Sequence, residues 1–157
     1  MSGQLFRKGD QTKGMEFYQR GLKEMDTAVT LAPTNVGVLI PRGATLLTAS
    51  RFMPSGDQSS KLLMQGLVDY EKVYGLQSSY FETLSGHARG ELLFGLAEGF
   101  LRAGNEAKPR EYFEKLAAAG PTVGHYAEAK AWIETGKLDP KQAACTGCHV
   151  KPQSELQ

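Results

Sequence analysis

The sequence predicts an all-α protein built from antiparallel helix pairs stacked side by side, closed by a short C-terminal segment of different character. Three observations carry this. Apolar residues recur three and four apart through most of the chain, the spacing that lines up one face of an α-helix. Glycine followed by Asp or Asn punctuates the periodic stretches, as in "KGDQ" (8–11) and "AGNE" (103–106), a helix stop followed by a helix start. No run alternates apolar and polar residues in the way a half-buried strand requires.

Taken in order, a partial helix precedes residue 8, and "KGDQ" separates it from a helix over 12–31, whose stripe is Met15, Tyr18, Leu22, Met25 and Val29. "APTN" (32–35) breaks the chain before a helix over 41–52, and "MPSGDQ" (53–58) before one over 58–75 with the stripe Leu63, Leu67, Tyr70, Tyr74. Ala88, Leu92, Leu96 and Gly99, with Phe100 and Ala103 beside them, define a helix over 85–103. "AGNE" and "AGPT" (119–122) bracket a helix over 106–119, and a last one runs over 122–135. Gly66, Gly90, Gly95 and Gly99 fall inside helices. Each destabilises its helix by up to ~1 kcal/mol relative to alanine, so close helix–helix approach is the expected compensation.

The helices also repeat. "LFRKGDQTKGMEFYQR" (5–20) aligns with "FLRAGNEAKPREYFEK" (100–115), matching Arg7 with Arg102, Gly9 with Gly104, Lys13 with Lys108 and Glu16 with Glu111. The offset, 95 residues, is close to three periods of ~34. On these residues "LFGLAEGFLRAGNEAKPREYFEKLAAAGP" (93–121) resembles a tetratricopeptide repeat. Leu96, Ala97 and Phe100 stand at its large, small and aromatic positions, Phe113 at the aromatic position of its second helix and Pro121 at its closing proline. "AVTLAPTN" (28–35) resembles a second repeat ending, while Pro109 and Gly14 replace the usual alanine. The resemblance implies a right-handed solenoid of about three repeats over residues 1–138, with a concave surface suited to docking a protein.

Residues 139–157 form a second unit. Both cysteines of the chain lie in "AACTGCHV" (143–150), where Cys145, Cys148 and His149 spell C-x-x-C-H, the attachment pattern of c-type haem. Asp139 as N-cap and Pro140 as first helical residue predict a short helix through the motif. Positions i, i+3 and i+4 then share one face. The two thiols can add to the haem vinyl groups, and His149 becomes the proximal iron ligand. The cofactor expected is one covalent haem c per chain. Three other readings stand beside it: a thioredoxin-like redox pair, which wants a strand–helix–strand setting; a zinc site, which needs a fourth ligand from His87, His125 or a second chain; and cysteines with no cofactor.

The motif resembles that of bacterial periplasmic or membrane-anchored cytochromes, which implies export, with the signal sequence absent from this chain. Small soluble cytochromes c carry C-x-x-C-H near the start of the domain and a methionine ligand downstream. Here eight residues follow His149, none of them methionine. Either the chain is cut from a longer cytochrome or the haem packs against the repeat domain. For the sixth iron position His125 is the candidate, with His87 second; both have the alternative of being surface or capping histidines, and a five-coordinate iron or a ligand from a partner stands equally beside them. Met15, Met25, Met53 and Met64 read as core or surface residues, and Trp132, Ile133 and Leu138 either shield a haem face or belong to the core of the last helix.

A net charge of +1, with 22 % charged residues, offers no electrostatic case for nucleic acid. No phosphate loop, catalytic serine motif or nucleotide fingerprint is present, and no stretch is long enough to span a membrane. The expected function is not an enzyme's but single-electron transfer or redox-partner docking by a haem-bearing helical repeat protein in the periplasm; a haem enzyme with an open iron site is a further reading. The alternative is a tetratricopeptide-like protein–protein interaction scaffold without haem, its motif unused or metal-binding.

Overall fold

The computed structural model describes residues 2–138, and within them every regular element is helical. The order is α1 (Ser2–Arg7), α2 (Gln11–Leu31), α3 (Val36–Phe52), α4 (Asp57–Gln77), α5 (Gly86–Arg102), α6 (Lys108–Ala118) and α7 (Tyr126–Thr135). A 3-10 turn, Ser78–Thr83, follows α4 directly. The short helix expected from Asp139 lies outside the described residues.

Local chemistry sets most boundaries. Asp10 caps α2 by accepting from the Lys13 amide at 3.2 Å, and Ser85 caps α5 through the Ala88 amide at the same distance. Gly9 and Gly104 take left-handed φ of 80° and 72° at the two stops that the repeat alignment pairs. Two helix starts differ from expectation. α3 begins at Val36 rather than residue 41, because Asn35 accepts from the Gly37 amide at 2.9 Å and opens a helix ahead of the proline. Pro41 then sits inside the helix, where one backbone hydrogen bond is lost. α7 begins at Tyr126 rather than 122, because Gly120 and His125 are both left-handed, with φ of 93° and 63°.

Consecutive helices pack on one another along the chain, and α3 also touches α5. α6 and α7 run antiparallel: Arg110 in the first turn of α6 lies over Trp132 near the end of α7. The apolar core is concentrated in α3 to α7, where Leu67, Val73, Leu96, Ala97, Phe113, Leu116 and Ala129 are fully buried. Phe113 stacks on Trp132 with ring centroids 4.5 Å apart. Trp132 is buried in the core, and Ile133 and Leu138 are partly buried against the same cluster. α2 differs, since Gly14 is its one fully buried residue. Its stripe of Tyr18, Leu22, Met25 and Val29 is half-buried, and Met15 is exposed.

The helical glycines sit at close approaches. A Cβ on Gly66 would meet Leu47, on Gly95 the ring of Tyr70, on Gly99 Leu67, and on Gly90 the carbonyl of Gly124. Gly75, inside α4, has nothing within 4 Å of the same position. Alanine at these two sites should therefore act in opposite directions. Gly75→Ala should raise stability by up to ~1 kcal/mol through helix propensity. Gly90→Ala must push backbone away from backbone and should lower stability by ~1–3 kcal/mol. Urea denaturation of the two variants checks this, and equal effects would contradict the packing account.

Candidate functional site

Cys145, Cys148 and His149, the residues of the expected haem attachment, lie outside the described residues. What the structure defines is the surface available to whatever they carry. Two open depressions offer surfaces for a ligand. One, of about 450 Å³, lies where the end of α4 and the 3-10 turn meet α5 and α6, walled by Tyr74, Phe81 and Lys115. The other, of about 330 Å³, is a groove between α3 and α5. Ile40, Ala44 and Leu47 form one wall, Leu92 and Phe94 the other, and Tyr70 of α4 lies between them.

Each end of this groove carries charge. At one end is a cluster around Glu98, which is 4 % exposed. Arg51 ion-pairs with it at 2.9 Å and Arg102 at 3.4 Å. Arg102 also donates to the buried hydroxyl of Ser50. Burial pushes the Glu98 carboxyl up from its ordinary value, and the two guanidiniums offset only part of that. Two cations around one carboxylate leave this end net positive. Sequence reading missed the cluster, although an acidic residue inside "LAEGF", at helical spacing among core positions, is a signal that could have found it. A second buried pair ties α3 to α4. Arg42 donates bidentately to Asp69, Nη2 to Oδ1 at 2.6 Å and Nε to Oδ2 at 2.7 Å, and reaches Asp26 of α2 at 3.0 Å.

At the other end are the two histidines. His125 stands in the turn before α7 with a left-handed backbone, its ring stacked on Phe94 at 4.2 Å. Nε2 lies 3.1 Å from Glu91 Oε1 and Nδ1 3.4 Å from Glu128 Oε1. Both ring nitrogens thus face carboxylates. The backbone braces this arrangement, with the Gly124 amide donating to the Gly86 carbonyl at 3.3 Å. His87, in the first turn of α5, has a side chain 64 % exposed and lines the groove; its Nδ1 is 3.9 Å from the same Glu91 oxygen. Glu91 therefore sits between the two imidazoles.

The donor set can be judged against haem on this geometry. An iron ligand must offer a neutral nitrogen lone pair. For His125 either nitrogen would first have to give up a carboxylate, and the environment favours the protonated ring. His87 has no competing partner at Nε2 among the described residues. The methionines offer little: Met15 and Met64 are 38 % and 49 % exposed, and none lines the groove. No group of three or more His, Cys, Asp or Glu among the described residues could hold a metal ion. No described helix is long and apolar enough to cross a membrane. Comparison with protein-family models, with curated proteins and with solved structures finds no match to this chain.

Burial alone would lower the pKa of His125, but the hydrogen bonds and charges of Glu91 and Glu128 outweigh it, and the pKa is raised above 6.5. A folded-state value above the unfolded one means that the imidazolium contributes fully to stability below the unfolded pKa. That contribution is lost as pH rises through the folded value. The His125 ring resonances should titrate above the ordinary histidine range by NMR and move down in Glu91→Gln. The stability gap between wild type and Glu91→Gln should be widest near about pH 5.5 and narrow toward about pH 9. A gap that widens with pH would reverse the assignment.

Proposed function

We propose that the chain is a c-type haem protein in which an all-helical scaffold of tetratricopeptide type carries one covalent haem near its C-terminus and passes single electrons to a docked partner. The observation that carries this reading is the C-x-x-C-H at Cys145, Cys148 and His149, which takes both cysteines of the chain. Two thioethers and an adjacent imidazole are what covalent haem attachment needs. The spacing that serves it, i, i+3 and i+4, is the one that a helix turns to one side.

Two features of the scaffold support the proposal. Consecutive helices pack as neighbours along the chain, as they must in a repeat array, where a helix pair shares its core with the next pair. The groove between α3 and α5 offers an apolar face next to a positive cluster, which suits a porphyrin with carboxylate edges. Bound haem would supply one-electron redox chemistry. Cys145, Cys148 and His149 would hold the ring, and apolar residues of the scaffold would exclude water from one face. Because haem is joined to such motifs after export, the proposal includes a periplasmic location.

The test uses the full chain produced in a host that attaches haem. Intact mass should exceed the sequence mass by one haem, roughly 600 Da. The Soret band should survive acid–acetone extraction, and Cys145→Ala/Cys148→Ala should abolish both. A colourless wild-type product of sequence mass would end the reading and leave a helical scaffold.

A further inference from the structure

We infer that the groove between α3 and α5 binds a small elongated amphiphile, a free carboxylic acid with a neutral hydrogen-bonding group at its far end, the carboxylate on Arg51 and the far group on Gln77. The inference goes beyond the haem reading. It uses α3, α4 and α5 alone and applies to the full chain without haem.

Helix packing gives the groove its shape. Gly43 meets the ring of Tyr70 and Gly66 meets Leu47, so α3 and α4 run antiparallel. Gly95 meets the same ring and Gly99 meets Leu67, so α4 and α5 do too. α4 is thus the floor of a trough whose walls, α3 and α5, run the same way. Ala44 and Ala88 on the walls keep it open. Gln77 lies about two turns beyond Tyr70 on α4, level with the first turns of both walls. Arg51 and Glu98 lie toward the walls' other ends.

The Gln77 side chain points to a ligand. It is 8 % exposed, it lines the groove, and it makes no hydrogen bond among the described residues. A buried amide left without partners destabilises a fold, and an apolar residue of the same size would serve the packing better. A polar atom lying in the groove would satisfy it.

The Arg51 end is built for an anion. Arg51 spends Nη2 on Glu98 at 2.9 Å, and its side chain is 21 % exposed in the groove. Its other N–H groups meet no acceptor among the described residues. Arg102 is also paired with Glu98, so two guanidiniums surround one carboxylate and a positive charge is left over. Thr48, one turn before Arg51 on the same wall, adds a hydroxyl. A bound carboxylate would accept charge-assisted hydrogen bonds here. At the Gln77 end the wall carries Glu91, already paired with His125. Negative charge there disfavours a second anion, so the ligand's orientation is fixed and its far end is neutral.

Size narrows the class. α3 rises about 16 Å between Ile40 and Arg51, and an alkyl chain advances about 1.25 Å per bond. A body of about ten carbons therefore spans the trough once Arg51 and Gln77 reach inward. The volume of about 330 Å³ is at the small end of ligand sites. An esterified chain would bring no charge to Arg51, so the acid must be free.

The experiment is calorimetric titration of the full chain with 10-hydroxydecanoate, decanoate and 1,10-decanediol. Both acids should bind, the hydroxy acid about threefold to tenfold tighter, and the diol about tenfold to a hundredfold weaker than the hydroxy acid. Arg51→Gln should weaken both acids by that larger factor and leave the diol unchanged. Gln77→Leu should erase the preference for the hydroxy acid while raising the urea midpoint of the free protein. Ala44→Phe, which fills the trough, should abolish binding with helical circular dichroism unchanged. Failure of both acids to bind, equal affinity for the two, or binding that survives in Ala44→Phe overturns the site. So does an apolar peptide with a free C-terminal carboxylate that binds where both acids fail, since the groove then belongs to a protein segment. Intact mass reads haem attachment separately, so failure of this site and failure of the haem reading are distinguishable.

Discussion

The ring of Tyr70 is the constraint around which this fold is organised. It projects from α4 into space that two glycines leave open, Gly43 on α3 and Gly95 on α5. A Cβ on Gly43 would fall 2.6 Å from the ring, and one on Gly95 closer still. Three helices therefore meet at one aromatic side chain, and they do so at backbone distances that any larger residue would forbid. Gly66 and Gly99 repeat the device one layer on, against Leu47 and Leu67. The helix propensity lost at these positions is recovered as packing, because protein interiors tolerate neither voids nor overlap. The same ring lies between the walls of the α3–α5 groove, so the feature that locks the helices together also shapes the surface open to a ligand.

Charge is used sparingly inside this core and at definite joints. Arg42–Asp69 fastens α3 to α4 with a two-pronged hydrogen bond, and the same guanidinium reaches Asp26 on α2. Burying such a pair adds little net stability over an apolar pair of equal size, but removing one partner leaves an uncompensated charge, worth ~3–5 kcal/mol. The pair thus enforces register more than it adds stability. For α2 the tie matters more, since that helix buries only Gly14 fully and holds on otherwise through half-buried contacts. In α5 and α6, the counterparts of α1 and α2 in the repeat alignment, the aromatic residues are closed in. Tyr112 has Tyr74 of α4 and Phe100 around it, whereas its aligned residue Phe17 is 42 % exposed.

Much of the fold was readable from residue order. Helix number and type, the paired stops at Gly9 and Gly104, and the packing role of the buried glycines follow from period, punctuation and propensity, which are local properties. The two misplaced starts share a cause. At α3 the Asn35 cap outweighed the usual reading of proline as a first residue, and at α7 a left-handed His125, rare for a non-glycine residue, delayed the helix. Both depend on side-chain and backbone detail that hydrophobic spacing does not register.

The candidate site divides along the same line. The C-x-x-C-H on which the proposed function rests is written in five adjacent residues, 145 to 149. How the two histidines of the described fold are held is not written there. His87 and His125 look alike as letters in a sequence. They became different only when Glu91 was brought between them, Glu128 and Phe94 were placed around one, and the groove opened beside the other. Sequence alone determined an all-helical chain with a C-x-x-C-H pattern near its end, because periodicity and motif spacing are short-range. The groove, the buried Arg51–Glu98–Arg102 cluster and the unequal histidines were decided by tertiary structure, because each requires residues far apart in the chain, 34 positions for His125–Glu91 and 52 for Arg102–Ser50, to meet.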